Sequence, residues 1–316
     1  MNSACKRPST VMPMSWQKIA ASMFLLLCAV TARAELNVLI VEGLGGEAAY
    51  QKQFNKEATA LQTVSLSVTS AEHVQLLTGA AATRANILAV IRQLATTLKV
   101  EDRLVMYLIG HGSYDGYTYK FNLPGTDLSG AELAAMLNMI KSEHQLVVAT
   151  GSCSGALQES LKNDARIVVT ATRTGNERNI TQFGQYFVDA LAATDADTDK
   201  NGRISMQEAF DLTSRKVKDY YQAESRLATE HAQLSGSRAA LFNVSQLPDA
   251  QVMPVNASES ARREQLTSEI DELRLRKESL SEEVYLQQLE ALLLQLAELD
   301  VGVQADSVNA TSEAAP

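Results

Sequence analysis

Four short apolar runs constrain the fold of this chain more than any other feature. They are LNVLIV (36–41), RLVMYLI (103–109), QLVVAT (145–150) and RIVVTAT (166–172). Each is nearly continuous in Val, Ile and Leu, so a strand built from it has to bury both of its faces. Stretches of helical period stand between them: AAYQKQFNKEATAL (48–61), TRANILAVIRQLATTL (83–98), LSGAELAAMLNMI (128–140) and ALQESLKN (156–163). In the third of these, Ser129 followed by Glu132 predicts a capping box. A further run, TVSLSVT (63–69), alternates as a strand does. Such alternation predicts an α/β fold, a three-layer sandwich with a mostly parallel sheet under helices on both faces. In sheets of that kind, sites form where loops leave the carboxyl ends of the strands.

The first 34 residues stand apart from this pattern. Lys6, Arg7 and Lys18 precede the apolar run IAASMFLLLCAV (19–30), and TARA closes at Ala34. That order predicts a secretory signal over 1–34, and the run is short for a membrane span. The expected mature chain is therefore exported, periplasmic or secreted, with no membrane span. Its charge sharpens the reading. Removing the leader takes four of 28 basic residues and none of the 37 acids, leaving 24 against 37, a formal charge of about −13 instead of −9. So acidic a protein excludes nucleic acid as a partner and suits the binding of cations.

Cys5 and Cys28 lie in the leader, so Cys153 is the only thiol expected in the mature chain. An internal disulfide is then ruled out, and an unpaired thiol in an oxidising compartment points to chemistry or to a small buried hydrophobe. Two apolar strands end in reactive residues: VMYLIGHG runs into His111 and Gly112, and QLVVATGSC runs into Cys153. A His beside a Cys draws off its proton, and the thiolate attacks carbonyl carbon. The glycine beside each residue lets a substrate backbone approach, and the N–H groups of Gly112 and Cys153 are candidates to hold an oxyanion.

An apolar strand ending in His-Gly and a second ending in Cys some forty residues later resembles the caspase, legumain and gingipain group of cysteine peptidases. GHGSYDGYTYKF (110–121) is most similar to the legumain family, and the similarity runs from Leu36 to Gln233. The resemblance implies a caspase-like sandwich, a peptide or protein substrate, and a catalytic dyad of His111 and Cys153. TATRTGNE (170–177) stands where that family places substrate-binding residues, so Arg173 and Glu177 are the candidates for a specificity pocket. Asp115 is expected to shape the His loop. One departure matters: Gly151-Ser152 replaces the acidic-Ala pair before the family's Cys, so cleavage after Asn or Asp is not carried over.

Two other readings compete. GSCSG (151–155) fits a nucleophile elbow of the α/β-hydrolase kind, which requires an acid and then a His later in the chain; His231, with Glu230 or an Asp, is the candidate. The third reading is a non-catalytic, calcium-binding interaction module that keeps the peptidase fold.

DTDKNGRISMQE (197–208) matches D-x-[DN]-x-[DN]-G-x5-E at every fixed position, between two helical stretches. It predicts one EF-hand calcium loop. Asp197, Asp199 and Asn201 supply side-chain oxygens, Arg203 its carbonyl, Ser205 a direct or water-borne contact, and Glu208 both carboxylate oxygens. Gly202 makes the turn and Ile204 takes the apolar position. A lone loop in an exported protein suits a structural clip rather than a sensor.

These readings divide the chain into a signal (1–34), a peptidase domain (35–235) and a linker (236–259) with Pro248 and Pro254. Beyond it lie a helical hairpin or coiled coil (260–300) and a disordered tail (301–316). Leu266, Ile270, Leu273, Leu280 and Val284 make a stripe for self-association or a partner, and Ser281 is placed to cap a second helix.

Overall fold

The computed structural model describes residues 34–248, 262, 265–266, 269–270, 273 and 276–312. The leader expected at 1–34, with Cys5 and Cys28, falls outside them but for Ala34. Six strands form the central sheet: β1 (Leu36–Glu42), β2 (Val74–Leu77), β3 (Arg103–Ile109), β7 (His144–Ala149), β8 (Arg166–Thr170) and β10 (Gln233–Ser235). Their order is β10-β8-β7-β3-β1-β2. All neighbours run parallel except β10, which lies antiparallel to β8.

Helices cover both faces. On one face lie α1 (Ala48–Ser65), α5 (Phe183–Ala190) and α6 (Met206–Ala223); on the other lie α2 (Arg84–Thr97), α3 (Gly130–Leu137) and α4 (Leu157–Leu161). Successive residues of one strand serve opposite cores. Val38 and Ile40 of β1 pack with Phe54, Leu61 and Phe187, whereas Leu39 and Val41 pack with Ile87, Ile91 and Leu137. That is why the strands read as unbroken apolar runs, and each such side chain contributes about 1.5–3 kcal/mol by leaving water. This three-layer, mostly parallel arrangement is the caspase-like sandwich expected from the sequence. A small antiparallel sheet of β4 (Gly112–Tyr114), β5 (Tyr119–Phe121) and β6 (Leu128–Ser129) follows β3, and β9 (Arg203–Ser205) pairs with β11 (Asn243–Gln246). The capping box of α3 forms, with Ser129 and Glu132 bonding each other's backbone N–H and Arg84 paired to Glu132.

Three expectations change. Residues 63–69 are no strand: α1 runs on to Ser65, and the edge strand is β2, further on. The hydroxyls of Thr63 and Ser65 donate to the carbonyls of Thr59 and Leu61 one turn back, so these residues are accommodated inside the helix. Residues 236–247, assigned to a linker, return to the domain, where β11 closes on β9 and Ala239, Phe242, Val244 and Leu247 enter the core. The tail from Val301 is helical as far as Ser312, within α7 (Glu282–Ser312). A helix once nucleated gains a hydrogen bond for each residue it adds, which composition alone does not reveal. Ser281 caps α7 as expected, its Oγ accepting from the Val284 N–H. The stripe residues Leu266, Ile270 and Leu273 are buried. Among the described residues no helix is long and apolar enough to cross a membrane.

One buried carboxyl gives the fold a pH dependence. Glu57 of α1 is 4% exposed, bonds Gln53, and lies so close under α5 that a side chain at Gly184 would meet it. Burial pushes its pKa up to about 7. Below pH 4.5 both folded and unfolded chains hold the proton, and this contribution to stability is complete. From there to about pH 7 the unfolded chain ionises while the native carboxyl does not, so stability falls, by at most about 3 kcal/mol. Urea unfolding across that range is expected to show a shallower fall in Glu57→Gln than in the wild type. Parallel profiles for the two proteins would refute the assignment.

Candidate active site

His111 and Cys153 follow neighbouring parallel strands, β3 and β7, at their carboxyl ends. Close backbone packing joins the two loops. A side chain at Gly151 would lie 1.7 Å from the Gly110 carbonyl oxygen, and one at Gly112 would lie 2.6 Å from that of Ser152. The Ser152 hydroxyl donates to the Gly112 carbonyl at 3.2 Å. On the far side of the His loop, Asp115 accepts the N–H groups of Tyr117 and Thr118 and so sets the β4–β5 turn, the shaping role expected of it.

The imidazole of His111 is held edge-on by Tyr50 and Phe54 of α1, at ring-centroid distances of 5.4 and 5.1 Å. Its Nε2–H donates to the Gly45 carbonyl at 3.2 Å, in the glycine-rich loop after β1. Nδ1 is then the basic nitrogen of the neutral ring. Cys153 has a left-handed backbone, φ 59°, which is costly for any residue but glycine and tends to occur at functional positions. Its side chain is 2% exposed, in the apolar cluster that contains Tyr119 and Leu157. Burial pushes the thiol pKa up, partly countered by the charge of Arg178. Burial also pulls His111 down, against the Gly45 carbonyl and the charge of Glu47. Both shifts favour a neutral thiol and imidazole over the ion pair. Among the described residues, the two side chains share no hydrogen bond.

The loop after β8 folds over the cysteine. The Cys153 N–H donates to the Glu177 carbonyl at 2.8 Å, so this amide is not free for an oxyanion, contrary to the expectation from its glycine neighbours. The Glu177 carboxylate receives the Arg173 N–H at 2.8 Å, the His231 N–H at 3.1 Å and His231 Nδ1 at 2.7 Å. Glu177 is thus a strap that ties three segments together beside the thiol, and Arg173 is anchored to it through its backbone. His231 lies in the segment between α6 and β10 and also shares no described hydrogen bond with Cys153. Glu230, proposed as its partner, instead caps α5, accepting the N–H groups of Gln182 and Phe183.

A cavity of about 450 Å³ opens beside His111, walled by Arg178, Arg226, Tyr50, Tyr220 and Tyr221. Sequence reasoning missed these residues. Arg178 adjoins Glu177 in the stretch already singled out, but Arg226 sits in an unremarkable segment that only the tertiary fold brings here.

The acidic loop at 197–208 is well formed. Carboxylate oxygens of Asp197, Asp199 and Glu208 lie within 4.8 Å of one another. Asp197 is buried and accepts the N–H groups of Asn201 and Gly202, both at 3.0 Å. Asn201 Oδ1 accepts the Arg203 N–H at 2.7 Å. Ser205 and Glu208 form a capping box at the start of α6. The loop is thus anchored by β9–β11 pairing on one side and by α6 on the other.

These features define an α/β domain of caspase-like architecture with a His and a Cys at adjacent strand ends. The chain belongs to the Peptidase C13 family, which it matches over residues 52–242. No curated protein matches it. Among solved structures it is similar to a protein from Geobacter sulfurreducens, with 14% identity, 68% of this chain and 98% of that chain covered, and a TM-score of 0.43.

Proposed function

We infer that the chain is an exported cysteine endopeptidase, and the observation that carries this reading is the placement of His111 and Cys153 on packed loops at the ends of adjacent strands. Its family membership supports protein substrates. In the proposed reaction the Cys153 thiol passes its proton to His111 and the sulfur attacks the peptide carbonyl carbon. The tetrahedral intermediate collapses as His111 returns that proton to the leaving amine. Water, deprotonated by His111, then splits the thioester and regenerates the thiol. Gly112 remains the nearby backbone donor for the oxyanion; the Cys153 N–H serves only if the bond to Glu177 opens.

A second reading is a non-catalytic module on the same fold, and the burial of Cys153 without a hydrogen bond to His111 favours it. A peptidyl electrophile separates the two. Stoichiometric labelling of Cys153 that requires His111 supports the peptidase, whereas slow labelling indifferent to His111 supports the module. Exposed Val284, Leu286, Leu293 and Leu294 on α7 support partner binding through residues 260–300.

Calcium is the cofactor proposed for the 197–208 loop. The donor set is all oxygen, with three carboxylates already gathered, which suits a hard cation. Asp197, Asp199, Asn201, Arg203, Ser205 and Glu208 would hold it, and its contribution is structural. The loop and the cavity lie toward opposite ends of α6, since Glu208 and Tyr220 are about 18 Å apart along the axis. Calcium at a hundredfold excess over its Kd is expected to add about 2.7 kcal/mol. At about 2–4 °C per kcal/mol that raises Tm by about 5–10 °C. Thermal scans with calcium and with chelator should differ by that amount in the wild type and little in Glu208→Gln; identical scans in the wild type would remove the site.

A further inference from the structure

The first turns of α1 make two sets of contacts beside His111. Tyr50 and Phe54, one turn apart, hold the imidazole edge-on. Gln51 and Asn55, also one turn apart, reach Glu42 at the end of β1, where both side-chain amides donate to its carboxylate. Glu42 is 2% exposed, and a carboxylate so deeply buried is costly without such donors. Because a carboxylate only accepts, it takes the amide N–H of Gln51 and leaves the Gln51 carbonyl oxygen to face the other way. That oxygen accepts the Gly45 N–H at 2.9 Å. The Gly45 carbonyl in turn accepts His111 Nε2–H at 3.2 Å and the Glu47 N–H at 2.8 Å. Glu42, Gln51, Gly45 and His111 thus form one hydrogen-bonded chain that joins the end of β1, its loop, α1 and the end of β3.

The acceptor sits in the loop GLGG (43–46), and glycines by themselves fix a carbonyl poorly. The N–H groups of Gly43 and Leu44 go to the backbone carbonyls of Ile109 and Asn122, which any sequence provides. That of Gly45 is held by a side chain, and the fit is close: a side chain at Gly45 would lie 2.4 Å from the Gln51 backbone nitrogen. We propose that Gln51, oriented by Glu42, is a positioning residue for His111: it fixes the Gly45 carbonyl on Nε2–H and so keeps Nδ1 as the base for the Cys153 thiol. Neither Glu42 nor Gln51 lines the cavity, so losing the chain of bonds should impair the chemical step and spare substrate binding. The catalytic purpose rests on the peptidase reading of this site; the hold on the ring does not.

The ring is read directly by nitrogen NMR on full-length protein labelled with ¹⁵N-histidine, at a pH of about 8 where imidazole is ordinarily neutral. The chain has four histidines, and the signals of His111 are those missing from His111→Ala. The wild type is expected to show His111 protonated on Nε2, with that proton protected from exchange with water. In Gln51→Met, which keeps the bulk and removes both hydrogen bonds, the exchange should be about tenfold faster. That variant leaves the Glu42 carboxylate with Asn55 alone, which costs stability, so Glu42→Gln/Gln51→Met, without the stranded charge, serves as the second variant and should show the same loss of protection. Glu42→Gln by itself keeps an acceptor for the Gln51 amide and should retain most of it. In peptide cleavage, kcat of Gln51→Met should fall about tenfold to a hundredfold with KM within about twofold. A wild-type ring protonated on Nδ1 would overturn the proposal, as would protection unchanged in both Gln51 variants or a loss confined to KM. If the ring behaves as expected and the wild type cleaves no peptide, the peptidase reading fails while the hold of Gln51 on the ring stands.

Discussion

Cys153→Ala is expected to lower peptide cleavage by on the order of 10³-fold or more, and His111→Ala by a similar factor. In the proposed reaction the two residues act in one proton transfer, so the double variant should be little worse than either alone. His231→Ala makes the informative contrast. His231 is tied to Glu177, whose carbonyl holds the Cys153 N–H, so its loss loosens the strap without removing a reacting group. A decrease of less than about tenfold is expected there, because the reacting groups themselves remain in place. Cleavage of a mixed peptide library, followed by mass spectrometry with calcium and reductant present, reads all four proteins at once. Loss with His231 and retention with His111 would transfer the base to His231 and revive the elbow reading of GSCSG. Cleavage undiminished in Cys153→Ala would remove the thiol from the reaction altogether.

The second large effect is on the fold. Gly151→Ala is expected to cost about 4 kcal/mol or more, the range reached only when a specific packing feature is destroyed. The new methyl group would lie 1.7 Å from the Gly110 carbonyl oxygen, and that oxygen belongs to backbone that cannot swing aside. Relief requires the ends of β3 and β7 to separate, and those ends carry His111 and Cys153. Gly46→Ala is the control. Gly46 has φ 70° but nothing within 4 Å of the added atom, so only the left-handed strain of about 1–2 kcal/mol applies. Urea unfolding of both variants decides the matter. If Gly151→Ala folds with a loss no greater than that of Gly46→Ala, the two loops are not locked together as described.

The sheet was legible because its four central strands bury both faces, and burial on both faces leaves an unmistakable run of Val, Ile and Leu. Local hydrogen-bonding chemistry was legible too: the capping box of Ser129 and Glu132, the Ser281 cap and the turn around Asp115 each depend on residues a few positions apart. The 63–69 segment misled because Thr and Ser hydroxyls bonded one turn back keep a strand-like pattern inside a helix. The return of 239–247 to the core was hidden because its partner, β9, lies about forty residues earlier in the chain.

The candidate site divides in the same way. By itself the sequence determined that a His and a Cys each end an apolar strand, and that 197–208 carries the residues of a calcium loop at their required spacing. Those are properties of local order, and periodicity records them. Only the tertiary structure decided that those strands are neighbours and what surrounds His111 and Cys153: the amide of Cys153 given to Glu177, the imidazole held by Gly45, Tyr50 and Phe54, and two arginines lining one recess. Each of these depends on segments far apart in the chain meeting at one point, and a linear pattern does not encode which side chains will share that space.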